Sequence, residues 1–129
     1  MLGGCSSTTV ETTSSQTPTQ VVNNITVVEA YDLIQANAGN PDFIIIDVRT
    51  PEEYAAGHIE NAVLINYNSG NFKEEIGKYD RGKKYLIYCR SGNRSAGARG
   101  VMIELSFRDI NHMNGGITEW LAEGLPVVK

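Results

Sequence analysis

The stretch that decides the fold is Tyr85-Leu86-Ile87-Tyr88-Cys89-Arg90-Ser91-Gly92-Asn93-Arg94-Ser95. Its first four residues are apolar or aromatic and too few for a helix, which is typical of a strand buried on both faces. The composition of residues 95–105 is typical of a helix. The stretch therefore predicts a strand, a short loop and a helix, with Cys89 at the carboxyl end of the strand. In open α/β sheets, ligands bind at that edge.

The residues between this strand and this helix favour a loop that binds anions. Gly92 and Asn93 tolerate unusual backbone angles, so the loop can curl with successive N–H groups pointing inward ahead of a helix N-terminus. Arg90 and Arg94 add two guanidinium groups. All these groups favour the thiolate of Cys89, which is the nucleophilic form. We therefore predict a catalytic nucleophile that needs no neighbouring histidine, although a lone cysteine after a strand is more commonly buried and inert.

The length and composition of the chain are those of one globular domain. It has 129 residues, of which 41% are hydrophobic and 20% charged. The net charge of −4 gives no basic face for nucleic acid, so we expect no nucleic-acid partner. The positive charge is local, because Arg90, Arg94 and Arg99 fall within ten residues of one another. A local cationic site suits a small anion better than a polymer.

Residues 1–24 differ in character from the rest of the chain. They are rich in serine and threonine, carry one charge at Glu11 and show no apolar periodicity, so we expect a disordered tether. Leu2-Gly3-Gly4-Cys5 resembles the lipobox of bacterial lipoproteins, although too few residues precede Cys5 for a complete signal peptide. Cys5 is therefore a candidate for lipidation, which predicts a membrane-tethered, extracytoplasmic protein (periplasmic or cell-surface). The alternative is an arbitrary glycine-rich terminus on a cytoplasmic protein.

From residue 25 onward, helices and strands alternate. Thr26-Val27-Val28-Glu29 and Thr50-Pro51-Glu52-Glu53 fit capping boxes for helices that end near residue 38 and before Gly57. Strands are expected at residues 43–46, 62–65, 85–88 and 109–113, and further helices at residues 72–77, 95–105 and 117–122. Strands separated by helices predict an α/β domain over residues 25–129. Its expected form is an open, mostly parallel sheet of about five strands with helices on both faces.

Three segments carry a resemblance to a known family. The first is Cys89-Arg90-Ser91-Gly92-Asn93-Arg94-Ser95. The second is Asp47-Val48-Arg49 followed by Glu52, Tyr54, Gly57-His58-Ile59 and Asn61-Ala62, and the third is Gly115-Gly116-Ile117 with Trp120 and Gly124-Leu125-Pro126-Val127. In this order they resemble the active-site loop, the upstream signature and the C-terminal signature of a single-domain rhodanese. The likeness covers residues 25–129.

The resemblance implies a thiosulfate sulfurtransferase that works through a persulfide. The Cys89 thiolate would take sulfane sulfur from thiosulfate, polysulfide or a persulfide and pass it to a thiol, cyanide or a protein acceptor. Substrate-binding groups would come from Arg90, Ser91, Gly92, Asn93, Arg94 and Ser95, unless one arginine folds back to brace the loop. No metal or organic cofactor is expected, because the cysteine itself carries the transferred atom.

Two other functions stay open as alternatives. The first is a cysteine phosphatase or an arsenate reductase with a similar loop. Such enzymes have five residues between the cysteine and the arginine, whereas four separate Cys89 from Arg94. The smaller cradle fits a single sulfur atom better than a tetrahedral phosphate. A persulfide carrier or sulfur-binding module without turnover would keep the same loop.

Outside the loop, the sequence offers few further site residues. Asp47 follows a buried strand and is expected at the same sheet edge as Cys89, where it braces the surroundings through Arg49 or backbone N–H groups. The two histidines, His58 and His112, are distant from Cys89 in sequence, and His58 is interpreted as structural because it follows Gly57. No carboxylate cluster suggests a metal, and no feature requires a partner subunit, so we expect a metal-free monomer.

Overall fold

The structure is a computed structural model that describes residues 19–129. Within them, the strands are β1 (Val21–Ile25), β2 (Phe43–Asp47), β3 (Val63–Leu64), β4 (Lys84–Tyr88) and β5 (Asp109–Met113). The helices are α1 (Val27–Ala36), α2 (Pro51–Ala56), α3 (Phe72–Ile76), α4 (Asn93–Glu104) and α5 (Gly116–Ala122), with a 3-10 turn at Tyr67–Ser69. Cys5 and most of the predicted tether lie outside the described residues. No helix among those described is long and apolar enough to cross a membrane.

The five strands form one open sheet in the order β1-β5-β4-β2-β3. Every neighbouring pair is parallel. This confirms the predicted α/β class and the predicted parallel sheet. Because the strands are parallel, the carboxyl ends of β2, β4 and β5 meet at one edge, and Cys89 lies at that edge.

Helices cover both faces of the sheet, and the two faces follow the strand period of two. Tyr85 and Ile87 of β4 pack into a core with side chains of α3 and α4. Leu86 and Tyr88 point the other way and pack into a second core with side chains of α1 and α5. The apolar and aromatic run of β4 is therefore buried on both faces, as its sequence predicted.

The boundary predicted at residue 24 is wrong, because β1 begins at Val21 and pairs with β5 in parallel. Two asparagines in the sequence VVNNI obscured the strand, since asparagine is depleted in strands. The strand forms through its edge contacts: Asn23 donates from Nδ2 to Oδ1 of Asn111 on β5 at 3.0 Å. The side chains of β1 are otherwise largely exposed, so burial gave no periodic signal.

Both predicted capping boxes are present. Thr26 accepts from the backbone N–H of Glu29, whose carboxylate accepts in return from the Thr26 N–H. Thr50 and Glu53 make the same reciprocal pair at the start of α2. The first helix ends at Ala36, two residues earlier than predicted, and α4 begins two residues before Ser95.

Candidate active site

The loop after β4 is shaped by a glycine that no other residue can replace without strain. Gly92 has φ +107° and precedes the first residue of α4. A Cβ at this position would run into the carbonyl oxygen of Asn114. The loop therefore turns tightly against the segment that follows β5, and the N–H of Gly92 points back at Cys89.

The start of α5 holds the other end of the same loop. Ile117 donates its N–H to the Cys89 carbonyl at 2.9 Å, and Thr118 donates to the Arg90 carbonyl at 3.0 Å. This approach requires Gly116, whose φ is +67° and whose missing side chain leaves room for the Arg90 carbonyl. The glycines after β5 thus fix the first two residues of the loop.

The Cys89 thiol is buried, with 1% of the residue exposed, and lies among hydrogen-bond donors. Its sulfur accepts from the Gly92 N–H at 3.1 Å and from the Ser95 hydroxyl at 3.3 Å. Burial opposes ionisation, but the Ser95 hydroxyl and the backbone N–H groups of Ser95, Gly92 and Ser91 outweigh it. The pKa of Cys89 therefore lies below its usual value.

The two loop arginines have different surroundings. Arg94 makes a two-point ion pair with Glu53 of α2, Nη1 to Oε1 at 2.7 Å and Nη2 to Oε2 at 3.0 Å. The hydrogen bonds from Arg94 lower the pKa of Glu53 to about 2, and those to Glu53 raise the pKa of Arg94. Of the two arginines expected to bind a substrate, Arg94 is the one that folds back onto the protein.

Arg90 is exposed, and no side chain within residues 19–129 forms an ion pair with it. It borders an open pocket of about 390 Å³ beside the loop. The other lining residues, from β2, α2 and α5 or their ends, are Arg49, Glu53, Ala56, Ile117, Thr118 and Leu121. The pocket beside the loop thus combines apolar side chains and two ion-paired ones, Arg49 and Glu53, with the unpaired guanidinium of Arg90, which is free to meet an anion.

Asp47 and Arg49 form a buried pair next to the loop. Arg49 donates to both Asp47 oxygens, with Nη2 to Oδ2 at 2.7 Å, and its Nη2 also donates to the Gly57 carbonyl. The Tyr88 hydroxyl donates to Asp47 Oδ2 at 2.7 Å and accepts from the N–H of Ile59. These bonds tie the carboxyl ends of β2 and β4 to the turn after α2.

His112, which is distant from Cys89 in sequence, lies behind the thiol. His112 Nε2 is 2.6 Å from the Ser95 hydroxyl oxygen, which itself contacts the Cys89 sulfur. Burial, with the nearby charge of Arg99, lowers the pKa of His112 to about 4. Seventeen positions separate His112 from Ser95. Its place near the carboxyl end of a predicted buried strand was the one available signal.

His58 occupies a different place, away from the thiol. Its ring stacks on Tyr54 with centroids 3.6 Å apart, and its Nδ1 donates to the Tyr54 carbonyl at 2.8 Å. Within residues 19–129, no three His, Cys, Asp or Glu side chains are grouped so that they could hold a metal ion.

Comparison with known proteins places this geometry in a family. The model of the rhodanese-like domain matches residues 27–123. A rhodanese-related protein from Thermoplasma volcanium is 33% identical with a TM-score of 0.69, over 82% of this chain and 97% of that one. The polysulfide-sulfur transferase homodimer from Wolinella succinogenes is 30% identical with a TM-score of 0.68, over 83% and 78% of the two chains.

Curated relatives extend the comparison to longer proteins. A tRNA uridine(34) hydroxylase from Pectobacterium carotovorum is 33% identical over 106 residues, which are 74% of this chain and 29% of that protein. A protein of the same name from Buchnera aphidicola is 32% identical over 116 residues, 82% of this chain and 35% of the other. The chain therefore spans about a third of the length of these relatives. With its matched residues, parallel sheet and cysteine loop, the chain belongs to the rhodanese-like domain family.

Proposed function

We propose that the protein is a sulfurtransferase that carries sulfane sulfur on Cys89. The observation that carries this proposal is the environment of the Cys89 sulfur, where Gly92 and Ser95 donate hydrogen bonds that favour a thiolate. In a persulfide the charge lies on the outer sulfur, and the same donors then favour Cys89 as the thiolate that departs when an acceptor attacks that sulfur. The polysulfide-sulfur transferase among the structural relatives supports sulfur transfer as the reaction class.

The first half-reaction loads the cysteine. With thiosulfate as donor, the Cys89 thiolate attacks the sulfane sulfur and a new S–S bond forms. The S–S bond within thiosulfate breaks, and its electron pair leaves with sulfite. Charge balances, because a thiolate and a dianion give a persulfide anion and a dianion. In the second half-reaction, a thiolate or cyanide attacks the outer sulfur, and Cys89 returns to its thiolate form.

Arg90 is the group that we assign to donor binding. Its guanidinium is exposed at the pocket beside the loop, whereas Arg94 is neutralised by Glu53 and Arg49 by Asp47. One free cation beside apolar walls suits polysulfide and persulfide monoanions as well as thiosulfate. Arg90→Gln should therefore raise KM for thiosulfate about tenfold with little change in kcat. Arg90→Lys keeps the charge but lacks the planar guanidinium, so its KM for thiosulfate should lie between those of wild type and Arg90→Gln.

The decisive measurement is intact mass after incubation with thiosulfate. A gain of one sulfur atom, absent in Cys89→Ser, is the expected result. Formation of thiocyanate from cyanide then separates an enzyme from a persulfide carrier without turnover. Hydrolysis of para-nitrophenyl phosphate without any sulfur uptake would overturn the proposal in favour of phosphatase chemistry.

We also propose that the protein is held at a membrane outside the cytoplasm through a lipidated Cys5. The lipobox-like residues 2–5 and the Ser/Thr-rich segment after them support this location. Mass spectrometry of the protein from the membrane fraction of its native host tests it. A soluble protein with an unmodified Cys5 would contradict it.

A further inference from the structure

Three buried side chains form a continuous polar contact behind the reactive sulfur. The Ser95 hydroxyl lies 3.3 Å from the Cys89 sulfur and 2.6 Å from His112 Nε2. Exposure is 1% or less for each of Cys89, Ser95 and His112. Water is therefore largely kept from the three groups, and the direction of the hydrogen bonds among them decides the charge that the sulfur can hold.

The Ser95 hydroxyl has one proton, so His112 determines where it points. If Nε2 carries a hydrogen, it donates to the Ser95 oxygen, and the serine proton is free for the sulfur at 3.3 Å or for the Gly92 carbonyl at 3.2 Å; a thiolate, being charged, is the stronger acceptor. If Nδ1 carries the hydrogen instead, Nε2 accepts the serine proton and the sulfur loses that donor. The tautomer of His112 thus decides whether the Ser95 hydroxyl is able to donate to a thiolate.

Two groups contact His112 Nδ1 and favour opposite tautomers, and the charged Arg99 is the stronger of them. Arg99 of α4 has Nη1 at 3.1 Å from His112 Nδ1, and a guanidinium can only donate. Asn24 of β1 has Oδ1 at 3.1 Å from Nδ1, a contact that by itself favours a hydrogen on Nδ1, but that oxygen already accepts from the charged Arg99 Nη1. With the Arg99 donor facing it, Nδ1 acts as an acceptor. The hydrogen of the neutral ring then resides on Nε2.

We propose that His112 is a positioning residue that aims the Ser95 hydroxyl at the Cys89 sulfur, with Arg99 fixing its tautomer. The proposal rests on the proposed function in one respect, that Cys89 works as a thiolate. The donors run in one direction, from Arg99 through His112 and Ser95 to the sulfur. They stabilise the thiolate before attack, and again when it departs from the outer sulfur of the persulfide.

Few charged groups surround the hydrogen-bonded side chains of His112, Ser95 and Cys89 among the described residues. His112 faces Arg99 from α4 and neutral Asn24 from β1. Cys89 faces the loop, which bears Arg94 paired with Glu53 and Arg90 pointing to solvent. Since the His112 pKa is near 4, the ring stays neutral at neutral pH and titration of the thiol is observed without interference from it.

The test follows the ultraviolet absorbance of the Cys89 thiolate as pH rises, with the titration of Cys89→Ser subtracted. All variants carry Cys5→Ser in the full chain. His112→Phe keeps a planar ring but cannot donate to Ser95, so its midpoint should move to higher pH. Sulfur uptake at a pH below the midpoint should fall about three- to tenfold. Arg99→Met should move the midpoint the same way, whereas Arg108→Met, at the amino end of β5, should not.

The Ser95→Ala background separates this role from a general structural one. There, His112→Phe and Arg99→Met should cause no further shift, because their effect passes through the serine hydroxyl. An unchanged midpoint in either variant, or a shift that persists without Ser95, would overturn the proposal. If His112→Phe fails to fold, Arg99→Met, which changes a half-buried side chain, carries the same test. If the midpoints shifted as expected but the wild-type protein took up no sulfur, the proposed function would be refuted and the role of His112 would stand.

Discussion

Arg94 and Glu53 join the active-site loop to α2 through two parallel hydrogen bonds of 2.7 and 3.0 Å. Glu53 also accepts from the N–H of Thr50 within its capping box, so one carboxylate serves the helix and the loop together. Its Arg94 partner is thereby unavailable to a substrate anion. This contact leaves Arg90 as the free cation of the loop in the part of the chain that the structure describes.

The first prediction concerns this ion pair. Glu53→Gln keeps an amide oxygen for the cap but removes the charge, so Arg94 can turn to an incoming dianion. We expect KM for thiosulfate to fall about two- to fivefold at low salt, with the gain shrinking as ionic strength rises. Melting temperature should drop by roughly 2–5 °C. Steady-state kinetics and thermal unfolding measure the two effects.

Glu52→Gln is the matched control, because Glu52 is exposed on the same helix and makes no ion pair within residues 19–129. It should leave KM and melting temperature almost unchanged. If both variants changed KM equally, a general charge effect would explain the result, and the pairing of Arg94 would not.

The second prediction addresses the buried pair of Asp47 and Arg49. Asp47→Asn leaves the Arg49 guanidinium buried without a counter-ion, so the free energy of unfolding should fall by about 3–5 kcal/mol. Urea denaturation measures the loss. Asp32→Asn on the exposed side of α1 should stay within about 0.5 kcal/mol of wild type. A similarly small change in Asp47→Asn would show that the pair does not brace the sheet edge.

The third prediction concerns acid stability. The pKa of His112 is about 4 in the folded protein against 6.5 in the unfolded chain, so the unfolded state binds the extra proton between these values. Stability should therefore fall as pH drops from about 6.5 towards 4. Glu53, with a pKa of about 2 against 4.5, adds a further loss as pH falls from about 4.5 towards 2.

Urea midpoints at several pH values between 7 and 4 test the first of these losses. His112→Gln has no group that titrates in this range at residue 112, so its midpoints should depend less on pH. An equal pH dependence in wild type and His112→Gln would assign the effect to other residues.

Local patterns were sufficient to predict most of the fold, and the loop around Cys89. The apolar runs of β2 and β4 and the capping boxes at Thr26 and Thr50 depend on residues close in sequence, so they are readable without the tertiary structure. β1 was missed because its edge position is set by pairing with β5, about 88 residues away. The pairing of Arg94 with Glu53 and the approach of His112 to Ser95 were missed for the same reason: each joins two elements distant in sequence.

The fourth prediction tests whether the glycines after β5 act on the loop. Gly116→Ala places a methyl group against the Arg90 carbonyl at φ +67°, so the loop must shift away from α5. We expect sulfur uptake to fall at least tenfold, because the N–H groups around the Cys89 sulfur lose their alignment. Gly100→Ala is the matched control. A Cβ there meets open space within α4, so activity should be kept and stability should rise by about 0.5–1 kcal/mol. If Gly116→Ala folded and took up sulfur at the wild-type rate, the contact between α5 and the loop would have no part in holding the thiolate.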